Sequence, residues 1–133
     1  MQRKLGMTRL LFTSVFALAL SACSTTPSGN NLAESFASQR AEMLSKVVPV
    51  NLDGYSILKA KATGSNIELT MMFTGDAKKK QPEQLFQGMT TRYCNDVEIL
   101  SMLETGVTYS LLVRDQRGKK ILERPITISS CQG

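Results

Sequence analysis

A chain of 133 residues with sixteen Lys and Arg against eleven Asp and Glu carries a formal net charge of +5, and it contains no histidine. That length supports one small domain rather than two. Without histidine the usual general base, the commonest metal ligand and every nucleophile–histidine pair are missing, which turns attention from catalysis to binding.

Arg3, Lys4 and Arg9 flank the start of an apolar run that begins at Leu10 and closes on Leu20-Ser21-Ala22-Cys23, with no acidic residue before Glu34. A basic start, an apolar core of about 13 residues and a small-residue exit make a secretory signal. As a helix that core would span about 20 Å, short of the roughly 30 Å of a bilayer. The cysteine directly after Leu-Ser-Ala resembles the lipobox of bacterial lipoproteins. The resemblance implies removal of residues 1–22, a diacylglyceryl group on the Cys23 sulfur and an acyl chain on the new amine, with no other cofactor and no metal. The signal takes three basic residues with it, leaving thirteen basic and eleven acidic. Nucleic-acid binding, which needs a dense basic stripe, loses its main support. The clusters that remain are Lys78-Lys79-Lys80 and Arg117/Lys119/Lys120. Both adjoin turn residues and read as solvated loops, with anionic lipid as the alternative contact.

Residues 23–30 read as the acylated terminus and a polar tether, and residues 31–133 as the folded domain. Asn31 and Glu34 form a helix-start signal, and Leu32, Phe36, Met43 and Val47 gather near one helical face before Pro49. The spacing predicts a helix over 31–47 whose opposite face carries Ser38, Arg40, Glu42 and Ser45. Tyr55 to Ala62, a Gly64-Ser65 turn, and Ile67, Leu69, Met71 and Phe73 alternating with polar residues predict an antiparallel hairpin. Pro82-Glu83 opens a second helix with Leu85, Phe86, Met89 and Tyr93 as its stripe. Asp96 caps a third, shorter helix ended by Gly106. Val107 to Arg114, an Asp115-to-Gly118 turn and Ile121 to Ser129 form a second hairpin, in which Pro125 marks an edge strand or a bulge. The order predicts an α+β fold: a small antiparallel sheet of four to five strands with helices on one face.

With Cys23 assigned to the lipobox, Cys94 and Cys131 form an even pair in an exported chain, where disulfides persist. Closing that loop would stabilise by roughly 4 kcal/mol; two free buried thiols are the alternative. If the pair is joined, no thiolate remains for covalent catalysis or zinc. Asp96 and Glu98 are the closest carboxylates, but Asp96 reads better as a cap, and Asp115 sits in a tight turn. No enzyme is expected. Five methionines lie beyond the signal: Met43, Met71, Met72, Met89 and Met102. Flexible thioethers fill small cores, and they also suit surfaces that accept an apolar helix.

Several stretches together resemble the small lipoprotein pilotins of type II secretion, the GspS-beta/AspS family. They are Ala41 to Val50 leading into Gly54-Tyr55, then Gln81-Pro82-Glu83 with Phe86, then Arg92-Tyr93-Cys94-Asn95-Asp96. Glu104-Thr105-Gly106-Val107-Thr108-Tyr109-Ser110 and the terminal Asp115, Arg124 and Cys131 complete the set. The Lys78-to-Lys80 run is a departure from that pattern. The resemblance implies a binding protein that grips the C-terminal segment of its secretin, the outer-membrane channel, while the lipoprotein sorting machinery delivers both. Ser24 after Cys23, in place of the Asp that retains lipoproteins at the inner membrane, implies the outer membrane, with the domain facing the periplasm. An apolar groove for the secretin segment is expected from Phe36, Met43, Phe86, Met89, Leu100 and Leu103, with Met72 on the outer sheet face as a rival. A lipoprotein inhibitor of a periplasmic enzyme, or a structural lipoprotein, is the alternative reading. An inhibitor of basic hydrolases would be expected to be acidic for steering.

Overall fold

A computed structural model describes residues 29–75 and 80–133; the signal, Cys23, nearly all of the tether, and Lys78 and Lys79 lie outside the described residues. The elements in order are α1 (Gly29–Val47), β1 (Val50–Leu52), β2 (Tyr55–Thr63), β3 (Asn66–Phe73), α2 (Pro82–Asn95), α3 (Val97–Glu104), β4 (Thr108–Arg114), β5 (Lys120–Ile126) and a single 3-10 turn (Ile128–Cys131). The strands form one five-stranded sheet in the order β1-β2-β3-β4-β5. Among the described residues no helix is long and apolar enough to cross a membrane.

Strand alternation sorts the sheet into two faces. Ile67, Leu69 and Met71 of β3 and Tyr109, Leu111 and Val113 of β4 point into a single core with Tyr55 and Ile126, all essentially without exposed surface. Burying each such side chain contributes about 1.5–3 kcal/mol. Ala33, Ala37 and Ala41 from α1, Leu85 and Met89 from α2, and Ile99 and Leu103 from α3 close that core from above, so the helices cover one face. The opposite face is polar at its strand starts, where the Asn66 side-chain oxygen accepts from Thr108 Oγ1 (2.9 Å) and Ser110 Oγ (3.0 Å). Met71 is in the core and its neighbour Met72 is half-buried on the outer face, as a period of two requires. The described core residues run from Ala33 to Ile126.

The α+β class, the five strands and the helices on one face agree with the sequence pattern, but the sheet is mixed rather than antiparallel throughout. β3 and β4 run parallel, from Asn66 opposite Thr108 to Met72 opposite Arg114. Both predicted hairpins form, β2–β3 and β4–β5 each antiparallel, and α2 with α3 fills the connection that carries the chain back so β4 can start beside the start of β3. β1 is a three-residue addition at one edge, antiparallel to β2. β5 is the other edge, where Pro125 needs no ladder donor. The last predicted strand is shorter than expected, because Ile128–Cys131 coils into the 3-10 turn.

Helix boundaries follow their local signals. Asp96 separates α2 from α3 and its side chain accepts from Ile99 N (3.0 Å), as an N-cap does. Gly106, at φ +103°, ends α3; its N–H donates to Leu103 O and that of Val107 to Met102 O, the two bonds of a Schellman stop. Asp115 holds the β4–β5 turn by accepting from the backbone N–H of Arg117 and Lys119, each at 2.9 Å. Cys94 at the end of α2 and Cys131 are joined in a disulfide with Cα atoms 5.3 Å apart, which ties the C-terminal turn to α2. Arg124 of β5 adds a second tie, pairing with Glu83 (2.8 Å) and lying over the Phe86 ring at 5.7 Å.

Replacing Cys94 and Cys131 by Ser is expected to lower the unfolding free energy by roughly 2–4 kcal/mol, read as a fall in the urea midpoint, with reductant acting likewise on the unaltered protein. A second expectation concerns alkaline pH. Tyr93 and Tyr109 meet edge to face with centroids 4.8 Å apart, and burial foremost pushes both hydroxyls above the usual tyrosine pKa. A group whose pKa is higher folded than unfolded leaves stability level below about pH 10 and lets it decline as pH rises further. Urea midpoints should therefore fall between about pH 10 and pH 11.5, and Tyr93→Phe should flatten the fall.

Candidate functional site

The first helix departs from the sequence expectation in a way that creates the site. Leu32, Phe36, Met43 and Val47 do not form its core-facing side; Ala33, Ala37 and Ala41, spaced four apart, do. At about 100° per residue the alanine line lies roughly a quarter-turn from the line of large side chains. Small residues let α1 lie close on β2 and β3, and the larger ones are turned to the side, where Met43 is 55% and Phe36 36% exposed. Arg40 falls between the two lines. It is therefore not on the solvent face with Ser38 and Ser45, as the spacing suggested, but has a side chain only 21% exposed.

Between α1 and α3 lies an open groove of about 440 Å³. α1 lines it with Phe36, Gln39, Arg40 and Met43, the i, i+3, i+4, i+7 set of one helical face. α3 lines it with Val97, Glu98, Ser101 and Met102. Asp96 positions the α3 wall: by ending α2 and capping α3 at one residue it places Val97 at the mouth of the groove, 84% exposed. The lining thus sets Phe36 and Met43 against Val97 and Met102, interspersed with Gln39 and Ser101, and one ion pair crosses it, Arg40 Nη1 to Glu98 Oε1 at 3.1 Å. The Arg40 guanidinium also lies near Tyr93 and Tyr109, where its charge opposes, without overcoming, the rise in their pKa that burial causes.

Of the residues expected to form the groove, the structure brings Phe36 and Met43 to it. Met89 and Leu103 are 3% and 1% exposed and pack into the core, so they support the groove from beneath without lining it. Phe86 is half-buried on the α2–β5 side, under Arg124, and Leu100 is half-buried without contributing to the lining. Arg40, Val97, Glu98 and Met102 were missed. The alanine spacing of α1 was the available signal, since it marks a sheet-facing side that competes with the Leu-Phe-Met-Val line. Cys23 and the Lys78-Lys79 pair lie outside the described residues; Lys80 pairs with Asp53 at 3.4 Å, and its carbonyl accepts from the Tyr55 hydroxyl at 2.9 Å.

Comparison with known proteins adds sequence and structural relatives. A family model described as type II secretion system (T2SS) pilotin, S protein, matches residues 30–131. The chain is 26% identical over 122 residues to Pilotin AspS 2 of Escherichia coli O78:H11, spanning 91% of this chain and 87% of that protein. It is similar in structure to the pilotin EpsS of the Vibrio vulnificus type 2 secretion system, with a TM-score of 0.73 and 25% identity over 79% of this chain and 96% of the other. The pilotin AspS of Vibrio cholerae superimposes with a TM-score of 0.71 and 32% identity, over 77% of this chain and 95% of the other. With the matched region running through α1, the sheet, α2, α3 and the disulfide, the chain belongs to the type II secretion pilotin family.

Proposed function

We propose that this pilotin is an outer-membrane lipoprotein that seats the C-terminal segment of its secretin, folded as an amphipathic helix, in the groove between α1 and α3. The observation that carries the reading is the open groove in which Phe36 and Met43 of α1 face Val97 and Met102 of α3, with Phe36, Met43 and Val97 among the large apolar side chains that the domain leaves exposed. Large exposed apolar surface rimmed by polar groups is what helix-in-groove recognition uses. The line from Leu32 to Val47 runs about 22 Å along α1, room for a guest helix of about four turns. Covering the exposed parts of three such side chains contributes roughly 1 kcal/mol each, set against the cost of ordering the segment.

The lipid on Cys23 supplies the destination and the groove supplies the cargo. The sorting machinery, reading Ser24 rather than Asp after the acylated cysteine, takes the pair to the outer membrane, where the domain faces the periplasm. A protein holding a secretin subunit in this way needs no catalytic group, in keeping with a family of secretion pilotins rather than enzymes.

A soluble form beginning at Ser24 is expected to bind a synthetic peptide of the secretin's C-terminal segment. Met43→Glu and Val97→Glu should each weaken binding about tenfold or more, a loss of about 1.4 kcal/mol, with unchanged urea midpoints. Met89→Glu, by contrast, should unfold the domain, since it places a charge in the core. No binding at high micromolar peptide would overturn the reading. In cells, Cys23→Ser is expected to leave the domain folded but to shift secretin out of the outer-membrane fraction; correct secretin placement in that variant would refute the tether.

A further inference from the structure

The ion pair across the groove is lopsided. Glu98 has a side chain 71% exposed and can swing away into water, whereas Arg40 is set in the groove wall. Exposed ion pairs hold their partners weakly. Behind the pair, Arg40 Nε and the Tyr109 hydroxyl are both buried; the guanidinium interacts with that hydroxyl, but neither atom makes a well-aligned hydrogen bond among the described residues. The free protein thus keeps a nearly buried guanidinium whose carboxylate partner stands at the rim.

Laying a wholly apolar helix face over this groove would strip the remaining water from Arg40 and press on its loosely held partner, a costly arrangement for a charge. An acceptor brought by the guest removes that cost. The guanidinium fork is matched in shape and charge by a carboxylate. Arg40 lies four residues after Phe36 and three before Met43, so it sits between the two apolar contacts that α1 offers. We infer that the guest helix carries an acidic side chain between its apolar anchors, and that this carboxylate takes the Arg40 guanidinium from Glu98. Glu98 serves as a stand-in in the empty groove. The pair then acts as a filter: an apolar helix without the acid meets an uncompensated Arg40 and is discriminated against. This rests on the groove being the seat of the secretin segment, and it specifies what that segment must bring.

The experiment uses the soluble form beginning at Ser24, whose core lies wholly within residues it retains, and a synthetic peptide of the secretin's C-terminal segment followed by fluorescence anisotropy. Arg40→Gln is expected to weaken binding about tenfold, Glu98→Gln to leave it equal or tighter, and rising salt to weaken the unaltered pair. A scan of the peptide replacing each Glu by Gln and each Asp by Asn should find one position that weakens binding to the unaltered protein about tenfold and has no further effect on Arg40→Gln. The half of that scan read on the unaltered protein needs no pilotin variant, and so holds even where Arg40→Gln is less stable. Binding that survives Arg40→Gln, or a peptide with no acid coupled to Arg40, overturns the inference while leaving the groove intact. Equal losses from Arg40→Gln and Glu98→Gln would show that the pair only fastens α1 to α3, and overturn it too. A peptide that fails to bind the unaltered protein at all refutes the groove itself.

Discussion

The close seating of α1 on the sheet is the contact on which the rest of the molecule turns. Ala33, Ala37 and Ala41 present a line of methyl groups to β2 and β3, so the helix adds no large side chains of its own beneath that line. Core volume is then supplied by the strands and by Leu85, Met89, Ile99 and Leu103 of the other two helices. The consequence is displaced onto the side of α1. Its large apolar residues have no place beneath the helix and stand along a wall, which becomes half of a groove once α3 supplies the other half.

Where α3 stands is decided by two devices at its ends and one at the end of its neighbour. Asp96 stops α2 and starts α3 with a single residue between them, and Gly106 releases the chain into β4 through a positive φ. The disulfide and the Arg124–Glu83 pair hold α2 against the C-terminal turn and β5. The parallel pairing of β3 with β4 makes this possible, because it demands a long connection, and that connection is the helical wall of the site. In this domain the topology of the sheet and the existence of the groove are one arrangement.

The division of labour in the chain is chemical. With no histidine and with Cys94 and Cys131 joined, the groove offers Phe, Met and Val, which recognise shape and apolar surface, beside Gln, Ser and one ion pair. Methionine serves both demands: Met71 and Met89 fill the core while Met43 and Met102 line the groove, where an unbranched thioether adapts to whatever it meets. Arg40 is the one charged side chain that α1 contributes to the lining, and the proposed acid-reading of a guest helix rests on it.

Local rules were enough for much of this. The period of two in β3 and β4, the proline opening α2, the Asp96 cap and the Gly106 stop all act within a few residues, so they were legible in the chain. The even cysteine pair needed only counting, and the ordered set of family residues pointed to the pilotins. Three things were not legible for one reason: each depends on residues far apart in sequence. Parallel β3–β4 pairing follows from where two helices fit, not from either hairpin. Met89 and Leu103 were indistinguishable from groove residues until the sheet was in place beneath them. And α1 offers two apolar lines a quarter-turn apart, either able to face a core. The amino-acid sequence determined that both lines exist; only the sheet, by accepting the smaller side chains because they allow the closer approach, decided which was buried and left Phe36, Arg40 and Met43 to line the groove.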